Sequence, residues 1–371
     1  MMKILAAFDS FKESISAQEA GYAVMRAVPD AKVIIKPMAD GGEGTMEAIN
    51  ASLGGEVHTI EVTGPLFNKV EAKIAICDDL AVIECAQACG LELLKQEEKD
   101  GIHTTTYGVG EMILYAVEHG AKRIFITLGG SSTNDGGVGM LSALGIRFLD
   151  VNHKPIKPCG DALDEIFVIE TDSYALKDKD IEIIGACDVT NPLLGKRGAT
   201  YVFGPQKGVT NLEEMDKKMS YYGRITSAVL GYDYRRFAGT GAAGGLGFAI
   251  ISYMNGRLAP GLTEIAEMTH LEEAIMSCDL IFTGEGSMDR QTLFGKTPLG
   301  VLRLALKHHK PVVGFAGKLE DADELLAAGF YQVRSINKVI KPLPVMLAEG
   351  ATNLENDVRD FMKDYQQDVS D

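Results

Sequence analysis

Twice within the first 55 residues a short apolar run is followed by an acidic loop and then by a helix, and this alternation constrains the fold more than any other feature. The run KILAAF at 3–8 reads as a buried strand and leads into Asp9-Ser10-Phe11-Lys12-Glu13-Ser14. Ser16-Ala17-Gln18-Glu19 forms a capping box, which predicts a helix to about Val28. Pro29-Asp30 turns the chain, and residues 32–36 read as a second strand. That strand ends in the loop PMADGGEGT, and a helix over 45–53 stops at Gly54-Gly55. Strands joined by helical crossovers pair in parallel, so an α/β chain with a parallel sheet is expected.

From Glu56 the rhythm changes. Runs at 57–62, 70–77 and 81–85 are separated by turns as short as Cys77-Asp78-Asp79, which predicts antiparallel pairing. Helices are predicted over 105–119, 138–144, 212–230 and 246–254, with strands over 123–128, 167–170 and 181–187. The strand–helix alternation then returns: a helix over 263–276, strands at 280–283, 311–315 and 331–335, and helices at 297–309, 321–328 and 354–365. The simplest organisation is a doubly wound α/β domain built from both chain ends (1–55 and 260–371), with a mixed α+β domain inserted over 56–259. At 371 residues, about two domains are expected from length alone.

A net charge of −16 argues against nucleic acid or an anionic membrane as partner, because both need a basic surface. It leaves room for small anions held by local cations, backbone N–H groups and a metal ion. The six cysteines form no C-x-x-C pair and sit mostly in apolar runs, which suits buried thiols in a reducing compartment. The seven histidines show no zinc-ligand spacing, and His308-His309 near a helix end reads as solvated. The apolar run after Lys3 ends at Asp9, too short for a signal peptide, and no stretch approaches 18 apolar residues. A soluble cytoplasmic protein is the expectation.

Five loops after predicted strands carry Asp or Glu among Gly, Ser or Asn: around Asp9, Asp40, Asn134-Asp135, Asp188–Asn191 and Glu285–Asp289. Carboxyl ends of parallel strands share one edge of a sheet, so such loops can converge. Acids beside glycines and lysines suit phosphoryl transfer from a Mg-nucleotide, since Mg²⁺ takes one or two carboxylates plus phosphate and water oxygens. The densest loop lies within 279–298, with Glu285, Ser287, Asp289, Arg290, Thr292 and Lys296. Its segment 290–297 is no P-loop, because Arg290 stands where the first glycine is needed. Gly239-Thr240-Gly241-Ala242-Ala243-Gly244 fits G-x-G-x-x-G, but YDYRRF before it makes a poor buried strand.

Read together, these loops resemble a known family. DSFKES (9–14), ADGGEGT (39–45), TTTYGVGE (104–111), GGSSTNDGGVGMLSALG (129–145), DVTNPLLGKRGATYVFGPQKG (188–208), GTGAAGGLG (239–247) and GEGSMDRQTLFGKTPLGV (284–301) closely resemble the glycerate kinase type 1 family, in order and over most of the chain. The resemblance implies a flavodoxin-like domain plus an inserted domain likened to restriction endonucleases. It also implies ATP- and Mg²⁺-dependent phosphorylation of D-glycerate, with the active site between the domains. Whether 2- or 3-phosphoglycerate forms is left open by the residues. Three positions depart from the family pattern: Glu13 where glycine is usual, Ser287 where arginine is usual, and Ser132 in SSTNDGG for the usual alanine.

On this reading Asp188 or Asp289 deprotonates the glycerate hydroxyl, and Lys296 completes the catalytic set. Asp40 and Glu285 are the metal candidates. Substrate and phosphate contacts are expected from Asp9, Ser10, Lys12, Gly41, Gly42, Gly129, Gly130, Ser131, Asn134 and Asp135. Further contacts are expected from Asn191, Gly241, Gly244, Gly284, Gly286, Arg290 and Thr292. Two other classes stay in view: a non-enzymatic binder of small hydroxy acids, and an NAD-dependent dehydrogenase using Gly239–Gly244.

Overall fold

The computed structural model describes residues 1–368. Its strands are β1 Lys3–Phe8, β2 Lys32–Ile35, β3 Glu56–Thr63, β4 Lys69–Cys77, β5 Leu80–Glu84, β6 Arg123–Thr127 and β7 Arg147–Leu149. They continue with β8 Val168–Glu170, β9 Glu182–Ala186, β10 Arg257–Ala259, β11 Leu280–Met288, β12 Val312–Leu319 and β13 Gln332–Ser335. The chain forms two compact units: Met1–Asp40, Glu47–Gly54 and Leu262–Asp371 make the first, Gly41–Met46 and Gly55–Gly261 the second.

In the first unit the sheet order is β13-β12-β11-β1-β2, and every pairing is parallel. This is the order of a flavodoxin-like doubly wound sheet, whose direction of winding reverses between β1 and β11. The apolar runs of its central strands are buried on both faces, as helix-covered parallel strands require. Phe282 anchors the core against Phe315 and Phe361, with ring centroids 5.2 and 5.6 Å away. The helix Ala17–Ala27 starts at the expected capping box, where Ser16 and Glu19 exchange bonds.

The second unit carries a mixed sheet of order β10-β9-β6-β5-β4-β3. β3, β4 and β5 pair antiparallel as the short turns predict, and β5, β6, β9 and β10 run parallel. A small antiparallel pair, β7 with β8, lies outside both sheets. Met215 and Met219 belong to the buried core of this unit.

Three expectations need correction. The strand read over 280–283 runs on to Met288, because β12 continues the ladder through Ser287↔Lys318 and Met288↔Leu319. The segment Gly284–Ser287 is therefore strand, not loop. The helix read over 263–276 is two helices, Gly261–Met268 and Leu271–Ser277, broken where His270 takes a left-handed conformation (φ 53°). His308, read as solvated, is half-buried and pairs with Glu272 Oε1 at 2.6 Å. No described helix is long and apolar enough to cross a membrane.

Candidate active site

In the first unit the candidate groups gather at the reversal point of the sheet, where doubly wound folds bind ligands. Asp9 follows β1 directly, and its backbone N–H donates to Gly284 O of β11 (2.9 Å). Its carboxylate accepts the Ser10 N–H (2.7 Å) and the Thr297 hydroxyl (2.5 Å). Thr297 opens the helix Thr297–Lys307, with Lys296 as the residue before it and Pro298 in its first turn. That helix end adds a positive dipole to the lysine charge.

Glu285, on the strand next to Asp9, accepts the Thr292 hydroxyl (2.8 Å) and Lys296 Nζ (3.4 Å). Burial pushes its carboxyl up, Thr292 and Lys296 oppose the rise, and the charge of Asp40 adds to it. Burial pushes Asp9 further, up to about 7, with the Thr297 hydroxyl opposing and Asp40 and Glu285 adding. Asp9 therefore feels the charges of Asp40 and Glu285, and Glu285 feels Asp40 and the Lys296 ammonium. Among the described residues no three His, Cys, Asp or Glu side chains are placed to hold a metal ion. Asp40 and Glu285 still fit Mg²⁺ as hard-oxygen donors, because that ion takes one or two carboxylates and completes its shell with phosphate and water. The repulsion from Asp40, which adds to the burial-driven rise of Glu285, is what a cation would relieve.

Other predicted residues of this unit serve the frame. Asp289 caps a short 3₁₀ turn, accepting the Gln291 N–H (2.7 Å), while its own N–H donates to Thr292 Oγ1 (3.2 Å). It thereby holds the hydroxyl that bonds Glu285. Arg290 reaches outward to Glu324 (3.3 Å). Gly284 lies so tightly on β12 that any Cβ would strike Phe315 O, whereas Gly286 sits open beside Phe11 and Lys12. Lys12 itself is exposed.

In the second unit the carboxyl ends of β5, β6 and β9 bring a second set together. Glu84 ends β5 and accepts the Met46 N–H (3.0 Å). Gly129 follows β6, close to Gly41 and Gly42. Asp188 follows β9 and accepts the Gly261 N–H (3.2 Å). Gly41 (φ +93°) approaches Ala186, Gly261 and Asp188, a backbone shape that a side chain would strain. Gly129 and Gly130 are exposed, but the chain from Ser131 onward is buried. Asn134 donates to Thr200 Oγ1 (3.0 Å). Asp135 is fully enclosed and accepts from Thr106 N–H (2.9 Å), Thr106 hydroxyl (2.8 Å), Gly137 N–H (3.0 Å) and Gly139 N–H (3.2 Å). Asn191 donates to Arg197 O and accepts from Gly241 N–H. Gly241 and Gly244 allow backbone to pack on Pro192 O and Thr133 O. The aromatic turn before Gly239 is not a strand, so the dinucleotide motif lacks its first element.

Three residues of these sets escape sequence reading. Thr297 shows only as a hydroxyl at a helix start, and Glu84 only as an acid ending an apolar run. Lys207, in the loop GPQKG, looks like an ordinary surface lysine yet is 2% exposed.

The glycerate kinase family profile matches residues 4–366. The glycerate 2-kinase of Escherichia coli (strain K12) is 44% identical over 328 residues, 86% of each chain. The glycerate kinase of Bacillus subtilis (strain 168) is 40% identical over 369 residues, 97% of each chain. A crystal structure from Salmonella typhimurium LT2, provisionally named glycerate kinase 2, matches with a TM-score of 0.91 at 39% identity, covering 99% of both chains.

Proposed function

The chain belongs to the glycerate kinase family, and from that premise we propose that it transfers the γ-phosphoryl group of ATP to D-glycerate, giving 2-phosphoglycerate, with Asp9 as the general base. The name of the 44%-identical relative, a 2-kinase, supports the product. The observation that carries the mechanism is the Asp9 carboxyl: it sits at the reversal point of the sheet, where burial pushes it up to about 7. A base poised near working pH best combines availability with proton affinity.

In the step itself the glycerate 2-hydroxyl oxygen attacks the γ-phosphorus, its proton passes to Asp9, and the bond from that phosphorus to the β–γ bridging oxygen breaks. Lys296, held by Glu285, offsets charge on the transferring group. The Thr297 hydroxyl keeps the Asp9 carboxylate oriented. Asp40 and Glu285 would hold Mg²⁺, which neutralises phosphate charge when bound. This moves the base from Asp188 or Asp289, because Asp289 is occupied as a cap and Asp188 anchors Gly261. Gly129, Gly130 and Ser131, in the second unit, are the anion-binding candidates. A net charge of −16 leaves nucleic acid without a basic surface, and six cysteines with no disulfide among the described residues suit the cytoplasm.

The test is ³¹P NMR of the protein with ATP, Mg²⁺ and D-glycerate. A 2-phosphoglycerate resonance growing with ADP is expected. ATP left unconsumed would overturn the activity, and the 3-isomer would overturn the position.

A further inference from the structure

Lys207 is a buried cation with no part in the chemistry above. Its Nζ donates to Ser131 Oγ (2.8 Å) and Thr133 O (2.7 Å), both in the segment that follows β6. Burying an ammonium costs several kcal/mol even in a relaxed protein, and both of these acceptors are neutral. Asp135 lies within Coulomb reach, but its carboxylate is already taken up by Thr106, Gly137 and Gly139. The same segment holds two buried polar atoms without a hydrogen-bond partner, Thr133 Oγ1 and Asn134 Oδ1. Its leading residues, Gly129 and Gly130, are exposed. A fold that only needed to pack this loop would do better with an apolar side chain of the same length.

We propose that Lys207 is a positioning residue for the phosphate chain of the nucleotide: it fixes Ser131 and Thr133 from behind, and its charge draws the polyphosphate onto the Gly129–Ser131 turn. This rests on the phosphoryl-transfer reading above. The groups facing Lys207 are Cys85 and Cys89 on the helix Cys85–Cys89 and Asp135 on the loop, while Lys99, Asp100 and His103 lie on the segment whose Gly101 N–H bonds Lys207 O. Burial lowers Lys207 to about 8, so its charge is lost as pH rises through that region.

The experiment compares wild type, K207M and S131A by steady-state kinetics and by calorimetric titration with ATP between pH 7.5 and 9.5. In K207M the KM for ATP should rise about 10- to 100-fold, the scale of a hydrogen bond to a charged group, with the KM for glycerate unchanged. Wild-type affinity for ATP should weaken as pH passes 8, and that slope should vanish in K207M. S131A keeps the lysine and should raise the KM for ATP several-fold, and the wild-type pH slope decides the matter if K207M fails to fold. Unchanged ATP affinity in the folded variants, or a rise in the KM for glycerate instead, overturns the proposal while leaving the kinase reading intact. A wild type that makes no phosphoglycerate overturns both.

Discussion

Asp9 and Asp135 are both carboxyls that burial pushes above the usual range, yet the two units use them differently. Asp135 is closed off on every side, and its four donors all come from its own unit. It ties Thr106 to the start of the helix Val138–Ala143. Asp9 accepts from only two residues, Ser10 (N–H and, at 3.5 Å, hydroxyl) and Thr297, keeps some exposure, and faces two further acids rather than more N–H groups. A raised carboxyl marks a site only when its surroundings leave it something to do. Satisfied, it is a staple; strained by like charges and reachable, it is a reagent.

The comparison breaks most sharply at Asp9. Asp9→Asn should lower kcat by about 10²–10⁴-fold, the usual scale for loss of a general base. The same change should raise the thermal midpoint at pH 8. The sign follows from linkage: Asp9 is raised, so the folded state keeps a proton the unfolded chain has lost. Stability therefore falls as pH rises from about 4 to about 7 and stays lowered above that, and asparagine removes a cost of at most about 4 kcal/mol. Asp135→Ala should do the reverse. Four stranded donors predict a loss of about 3–5 kcal/mol in denaturant unfolding, with turnover per folded molecule changed only a few-fold. If D135A stays stable and loses turnover instead, the two roles have been exchanged.

Smaller changes sharpen the contrast. Thr297→Val removes the bond that opposes the rise of Asp9, so the acid limb of the rate profile should move up by about one pH unit. A valine variant with an unmoved limb would separate Thr297 from the reacting carboxyl. The smallest effect is expected at Glu13, which adopts φ 61° in the loop after Asp9. Glu13→Gly should relieve that strain and stabilise the protein by about 0.5–1 kcal/mol in chemical denaturation, without touching kcat.

Much of this architecture is legible in the sequence where the signal is local. The capping box at Ser16 and the glycines at 54 and 55 mark helix ends, and short turns mark the antiparallel strands. What is not legible depends on distant partners. Gly284–Ser287 reads as loop because glycine and serine are poor strand formers, and only the ladder to β12 keeps it extended. Asp9 can be singled out as an acid after a strand, but its raised pKa comes from burial, opposed by the hydroxyl of Thr297, which lies 288 residues away. Asp289 reads as reactive from composition alone, whereas its own neighbours use it as a cap. Lys207 gives no sign of burial, because what encloses it comes from segments far apart in sequence.

The most direct test of Asp9 as the base is the pH dependence of kcat/KM for glycerate in the wild-type protein between pH 5.5 and 9. With Asp9 as the base, an acid limb with a midpoint near 7 is expected, falling about tenfold per pH unit below it. A profile that stays flat from pH 5.5 to 8 would contradict it.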